Sequence, residues 1–240
     1  MRIVTHAALA KRRRAQASTL SLIGVAILVL GLVLNFQLRY GLAYIALISG
    51  TLCSWLGVTM SERWLPVPRP DKALADGLSG ISGRVYALYN WSLPSASHVL
   101  LAPWGLTVFF VHNHDGAASV EGARWRDERP LFRRLLRFAR RPVRHPGKLL
   151  ELDIAGLRAA LAQAEPGLSD LPIEGAAVFT HPGVRLTITE PDLPVLVPGE
   201  LSAWVRRSLK DKPRLAPADR LKLEETLDAL AAERMGAPTR

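Results

Sequence analysis

His112 and His114 stand two residues apart in GLTVFFVHNHDG, the stretch from Gly105 to Gly116, with Asn113 between them and Asp115 following. On a strand, residues i and i+2 share a face, and imidazoles with a nearby carboxylate are the side chains of zinc centres and metal-assisted hydrolases. His98, on the preceding apolar run, is the nearest further candidate ligand. A zinc site needs three or four converging histidine, cysteine or carboxylate groups. The single cysteine, Cys53, lies inside a long uncharged stretch, and His181 falls in the turn signal FTHPG. The histidines therefore read as the exposed end of a hairpin turned at Asp115-Gly116, with no metal and no cofactor expected. Nucleophilic catalysis has no support either, since the chain carries no G-x-S-x-G elbow. GLSGISG has glycines but no lysine and no preceding strand, so it is not a phosphate-cradling loop.

The elements that must position these residues begin with two long apolar segments. Residues 15–38 are 24 positions without a charge and residues 40–61 are another 22. Roughly 20 apolar residues in helix span a bilayer core, so transmembrane helices are expected over about 18–36 and 41–60, within 15–62. The first is too long for a signal-peptide core and lacks a cleavage site. The connection around Arg39 is short, which makes an antiparallel hairpin with both flanks on one side. Lys11, Arg12, Arg13 and Arg14 precede it and Arg63, Arg69 and Lys72 follow, against Arg39 alone at the turn. Basic residues are retained in the cytoplasm, so a multi-pass inner-membrane protein with both termini cytoplasmic is expected, its residues 1–14 forming a basic arm. One cysteine permits no intramolecular disulfide.

Beyond the hairpin, residues 63–75 (LPVPRPDKAL in particular) read as a proline-rich linker. ADGLSGISGRVYALYNW then predicts a helix, SHVLLAP and GLTVFFVHN a β-hairpin across PWG, and DGAASVEGARW a turn and third strand. Leu150, Ile154, Leu157, Leu161 and Ala164 recur at helical spacing up to Pro166-Gly167. IEGAAVFT, VRLTIT and LPVLVP predict three short strands, followed by a helix over about 199–210 and a separate charged C-terminal helix within 211–240. This order predicts an α/β domain over 76–210, a small mixed sheet with flanking helices.

Net charge is +10, and residues 124–148 hold ten basic residues against Asp127 and Glu128, a local net of +8. Within them, PLFRRLLRFARR predicts an amphipathic helix opened by Pro130. Leu131, Phe132, Leu135, Leu136 and Phe138 form its apolar stripe; Arg133, Arg134, Arg137, Arg140 and Arg141 crowd the rest. Such a helix binds anionic lipid headgroups or nucleic-acid phosphates, or a protein partner.

Taken in order, SHVLLAPWGLTVFFVHNHDG, VEGARW, IEGAAVFTHPGVRLTI and LPVLVPGELSAWV resemble the nuclease-related domain, NERD, over roughly Asp76 to Leu209. That family belongs to the PD-(D/E)xK nuclease superfamily and often occurs beside transmembrane segments in bacterial proteins, so the resemblance implies a restriction-endonuclease-like fold. At the positions matching the family's catalytic residues this chain has Arg84 for a glutamate, Ser97 for an aspartate, and Phe110 and His112 for the glutamate and lysine of the ExK motif. Mg²⁺ requires hard oxygen ligands, and the lysine stabilises charge on the phosphate. The resemblance thus implies the fold without the activity. Two function classes follow: a non-catalytic membrane-anchored module acting through its arginine-rich helix, or a metal-dependent nuclease using displaced ligands among Asp115, Glu121 and Glu174.

Overall fold

The computed structural model of the chain describes residues 1–37, 40–64, 68–128, 143, 145–168 and 170–236. They fall into two units, a helical pair within residues 7–64 and a unit that joins residues 1–6 to the residues from 68 onward.

The helical pair consists of α1 (Ala7–Phe36) and α2 (Tyr40–Trp64), both long and apolar enough to cross a membrane. Small residues hold them together. Ala10, Ala17, Gly24 and Gly31 are buried on α1 at intervals of seven, and Ala43, Ala46, Gly50 and Gly57 on α2. A Cβ on Gly24 would stand 2.5 Å from the Ser54 backbone nitrogen, and one on Gly57 2.6 Å from that of Ser21. The heptad spacing keeps one seam facing the partner helix, and the absence of side chains lets the two backbones approach closely. The large side chains point outward instead. Of the 24 exposed large hydrophobics among the described residues, 18 lie on these two helices, from Leu22 to Val58. An exterior this apolar is unfavourable in water and natural in lipid, which supports membrane association.

The second unit is α/β. Its main sheet has strand order β1-β2-β3-β4-β7-β9. The strands are β1 (Arg2–Thr5), β2 (Ala87–Asn90), β3 (His98–Ala102), β4 (Gly105–His112), β7 (Ile173–Phe179) and β9 (Val195–Leu196). The β2–β3 and β3–β4 pairs are antiparallel, whereas β1–β2, β4–β7 and β7–β9 are parallel, so the sheet is mixed as expected. Gly105 opens β4 at φ +136°, and a Cβ there would run into Pro172, which explains the glycine of PWG. A smaller sheet, β6-β5-β8, is built from β5 (Ala117–Glu121), β6 (Arg124–Asp127) and β8 (Arg185–Thr189).

Helices cover both faces of the main sheet. On one, α4 (Gly147–Ala164) and α6 (Pro217–Met235) bring Leu157, Leu161, Leu223 and Leu227 onto Tyr89, Val99, Leu101 and Val108. On the other, α3 (Pro70–Gly77) and α5 (Pro198–Asp211) bring Leu74, Leu201 and Val205 onto Leu88, Leu100, Phe109 and Val178. The odd and even residues of each strand thus feed separate cores, as a sheet covered on both sides requires.

Four sequence expectations change. Residues 1–14 are not an arm, because Arg2–Thr5 is an edge strand paired in parallel with β2 and residues 7–14 already belong to α1. Arg2 fastens that strand: its guanidinium reaches the Tyr89 hydroxyl at 2.8 Å, Asp228 at 2.6 Å and Glu224 at 3.0 Å. The Tyr89 hydroxyl donates to Asp228 at 2.7 Å, and burial holds its phenol well above the ordinary tyrosine range. The linker over 63–75 ends early, since Pro70 opens α3 at a position where a missing N–H costs nothing. The helix expected over ADGLSGISGRVYALYNW is instead the end of α3, a turn and β2, because VYALY favours a strand once the glycines have broken the helix. The C-terminal helix is not separate either: Leu223, Leu227 and Ala231 are buried in the first core, with each of those leucines contributing roughly 2 kcal/mol. The arginine-rich PLFRRLLRFARR helix, with Arg133, Arg134, Arg137, Arg140 and Arg141, lies outside the described residues.

Candidate functional site

The four positions that the sequence resemblance singles out lie at scattered places around the main sheet. Arg84 is exposed in the turn before β2, where its carbonyl accepts from Arg220 Nη2 at 3.3 Å. Ser97 closes the loop between β2 and β3, its carbonyl accepting the Trp91 N–H at 2.7 Å. Phe110 and His112 lie on β4 with their rings stacked, centroids 6.3 Å apart. His112 also meets His114 at 5.9 Å and the edge of Phe179 at 5.4 Å. Phe179 stacks on Trp125 at 5.8 Å, and Trp125 meets His145 at 5.6 Å. The rings on β4 thus begin an aromatic column that runs across to the smaller sheet, where Phe179 shares a core with Ala118 and Val120. Rings packed this way supply buried area and quadrupole contacts, and neither a phenyl nor an imidazole ring offers the hard oxygen that Mg²⁺ prefers.

Register decides the fate of the three histidines. Val99 pairs with Val108, which sets His98 opposite Phe109, so His98 faces the core under α3 and α5. Phe110 and His112 alternate to the opposite face. His98 therefore cannot join His112 on one metal. The expected exposed hairpin end is not formed, because β4 and β5 belong to different sheets and His114 is buried, with Nε2 3.4 Å from the Ala117 carbonyl and 3.8 Å from Asp127. His181 Nδ1 accepts the Gly183 N–H at 3.1 Å inside its own turn. Among the described residues no three His, Cys, Asp or Glu side chains converge as metal ligands would.

The displaced carboxylates are also kept apart. Glu174 pairs with Thr107 near the start of β4, and its Oε1 accepts from Trp104 Nε1 at 2.9 Å and Thr107 Oγ1 at 3.0 Å. Its other oxygen is bonded to Lys212, whose ammonium lies 5.4 Å from the Trp104 ring and 5.3 Å from the Trp204 ring. Asp115 follows the far end of β4, a strand whose rise from Thr107 to His112 is about 16 Å. Glu121 is exposed on the smaller sheet, opposite Arg124. Sequence reading missed the Glu174–Lys212 pair because Lys212 follows the expected domain end at 210. It also missed His145, whose Nδ1 accepts the Gly147 N–H at 3.0 Å to cap α4 while Nε2 bonds Asp192 at 2.7 Å.

His98 carries the pH-dependent feature of this region. Its Nδ1–H donates to Asn90 Oδ1 at 2.8 Å, and the Asn90 amide reaches Thr5 of β1 at 3.3 Å. Burial drives the imidazole down to about 4, with Asp71 acting weakly the other way. Between the ordinary value of 6.5 and about 4 the unfolded chain takes up a proton that the folded ring refuses, so stability falls as pH drops through that window. The loss across it is roughly 3 kcal/mol. Denaturant unfolding measured from pH 7 to pH 4 should show that acid limb flattened in His98→Gln. An unaltered limb in the variant would assign it to other groups.

Compared with protein-family models, curated proteins and solved structures, the chain returns no match.

Proposed function

We propose that this chain is a non-catalytic, membrane-anchored module of the NERD type. Its two apolar helices cross the inner membrane as a hairpin, and its α/β domain lies on the cytoplasmic side. The arginine-rich segment containing Arg133, Arg134, Arg137, Arg140 and Arg141 engages an anionic surface. The observation that carries the reading is β1. The residues just before α1 are paired into the same sheet as residues that follow α2. Two helices inserted between strands of one folded sheet must leave and re-enter on the same side, which an even number of spans achieves. The basic residues flanking both helices make that side cytoplasmic. Support for the non-catalytic half comes from β4, where Phe110 and His112 belong to an aromatic stack, and from Glu174, whose carboxylate is bonded to Lys212.

The purified full chain in detergent should leave DNA and RNA intact with Mg²⁺ or Mn²⁺, at the level of a mock preparation. Metal-dependent cleavage that disappears in Asp115→Asn or Glu121→Gln would replace this reading with a nuclease. The full chain is the right material, because a fragment starting at Asp71 would lack β1 and leave the edge of β2 uncovered.

A further inference from the structure

A second concentration of positive charge lies on α5, apart from the arginine-rich segment. From Trp204 to Arg214 the chain has five basic residues, Arg206, Arg207, Lys210, Lys212 and Arg214, against Asp211 alone, a net of +4. The helix sorts them by face. Leu201, Val205 and Ser208 are buried against the sheet. Ala203, Arg206, Arg207 and Lys210 follow at the i, i+3, i+4, i+7 spacing of the opposite stripe, and all four are exposed. Lys212 is committed to Glu174, and Glu200 is taken up by the Val197 N–H at 3.3 Å. Among the described residues none of Arg206, Arg207, Lys210 and Arg214 has a carboxylate within ion-pair distance. On α6, by contrast, Arg220 meets Glu224 and Lys222 meets Glu165.

We propose that this face of α5 docks on the anionic phospholipid headgroups of the bilayer that holds α1 and α2; the inference rests on the membrane-anchored reading above. Charge complementarity selects a phosphate-bearing surface, and the aromatic content selects lipid over nucleic acid. Single-stranded nucleic acid is held by stacking bases on exposed rings. Here Trp104 is 3 % exposed and Tyr86 6 %. Of the described aromatic rings packed beside α5, Trp204 reaches the surface in part, at the border between core and cations where interfacial tryptophans sit. Each basic residue close to an anionic membrane shifts the docked-to-free ratio by about fivefold, so three together shift it by about a hundredfold at low salt.

The test uses the full chain in lipid nanodiscs, with Cys53→Ala and a nitroxide on Ala203→Cys, and a control nitroxide on Asp219→Cys of α6. Collision with a water-soluble relaxation agent is compared between discs of phosphatidylcholine alone and discs of phosphatidylcholine and phosphatidylglycerol in equal parts. The expected result is several-fold protection at 203, not at 219, in the anionic discs only. High salt and Arg206→Gln/Arg207→Gln/Lys210→Gln should abolish it, whereas Arg206→Lys/Arg207→Lys should retain it. Equal accessibility in both discs, or protection that survives the glutamine variant, overturns the proposal. Protection appearing in neutral discs on addition of an RNA oligonucleotide would also overturn it, giving the surface to nucleic acid. Alkaline extraction separates the two levels of failure. A chain released from membranes refutes anchoring itself, whereas an integral chain without protection at 203 refutes only the docking of α5.

Discussion

Replacing Gly24 by leucine is expected to break the close packing of α1 on α2. A Cβ alone at that position would meet the Ser54 backbone nitrogen at 2.5 Å, and backbone cannot swing aside as a side chain can. The helices would have to separate along the seam that Ala17, Gly31, Gly50 and Gly57 share, losing contacts well beyond the substituted site. In lipid no hydrophobic force between helices compensates, because tails solvate leucine as well as another helix does. The expected cost is about 3 kcal/mol, at the upper end for overpacking. Unfolding of the full chain by rising SDS fraction in mixed micelles would show it as a large shift of the first transition. Gly41→Leu is the control, since a Cβ there meets nothing within 4 Å and its midpoint should stay in place.

Replacing Val4 by proline is the second change with a large expected effect. Arg2 N–H donates to the Tyr86 carbonyl at 3.1 Å and His6 N–H to the Asn90 carbonyl at 3.0 Å. Alternation aims the Val4 N–H at the same partner strand, and its side chain packs against the core that holds Leu227. Proline removes that donor and fits badly into a hydrogen-bonded strand position. Detaching β1 would also release Arg2 from Tyr89, Asp228 and Glu224. We expect about 3 kcal/mol of lost domain stability, read by denaturant unfolding in detergent through near-ultraviolet circular dichroism. Ile3→Pro separates the causes: Ile3 is 48 % exposed, its N–H faces away from β2, and a loss under about 1 kcal/mol is expected. Equal losses for the two would mean that β1 is not held through its ladder.

Much of this architecture is legible in the residues themselves, and the rest fails for identifiable reasons. The two long helices follow from uncharged length, the β3–β4 hairpin from PWG between two apolar runs, and α4 from the leucine spacing at 150, 157 and 161. Those signals are local. β1 is not: four residues, RIVT, take a strand partner more than 80 positions away, and nothing in their own pattern distinguishes them from a basic arm. The separation of His98 from His112 onto opposite faces is likewise a consequence of register, which the spacing of histidines along the chain does not contain. Glu174 and Lys212 meet only because β7 pairs with β4 and α5 ends beside them, so the sequence offered Glu174 as a displaced ligand and did not single out Lys212 at all. Phe110 and His112 are a simpler case: they fall in a β-run legible in the sequence, and alternation along β4 brings their rings into one stack beside Phe179.

The central claim is that both flanks of the helical hairpin lie on one side of a membrane, because β1 and the strands after α2 form one sheet. It is tested most directly by paired reporters. The full chain carries green fluorescent protein or alkaline phosphatase after Arg240, and in a second series before Met1 on a flexible linker. The account predicts fluorescence and no phosphatase activity from both ends, the signature of a cytoplasmic location. Phosphatase activity at either end would contradict it, and activity at one end only would mean that the membrane separates β1 from the strands that follow α2.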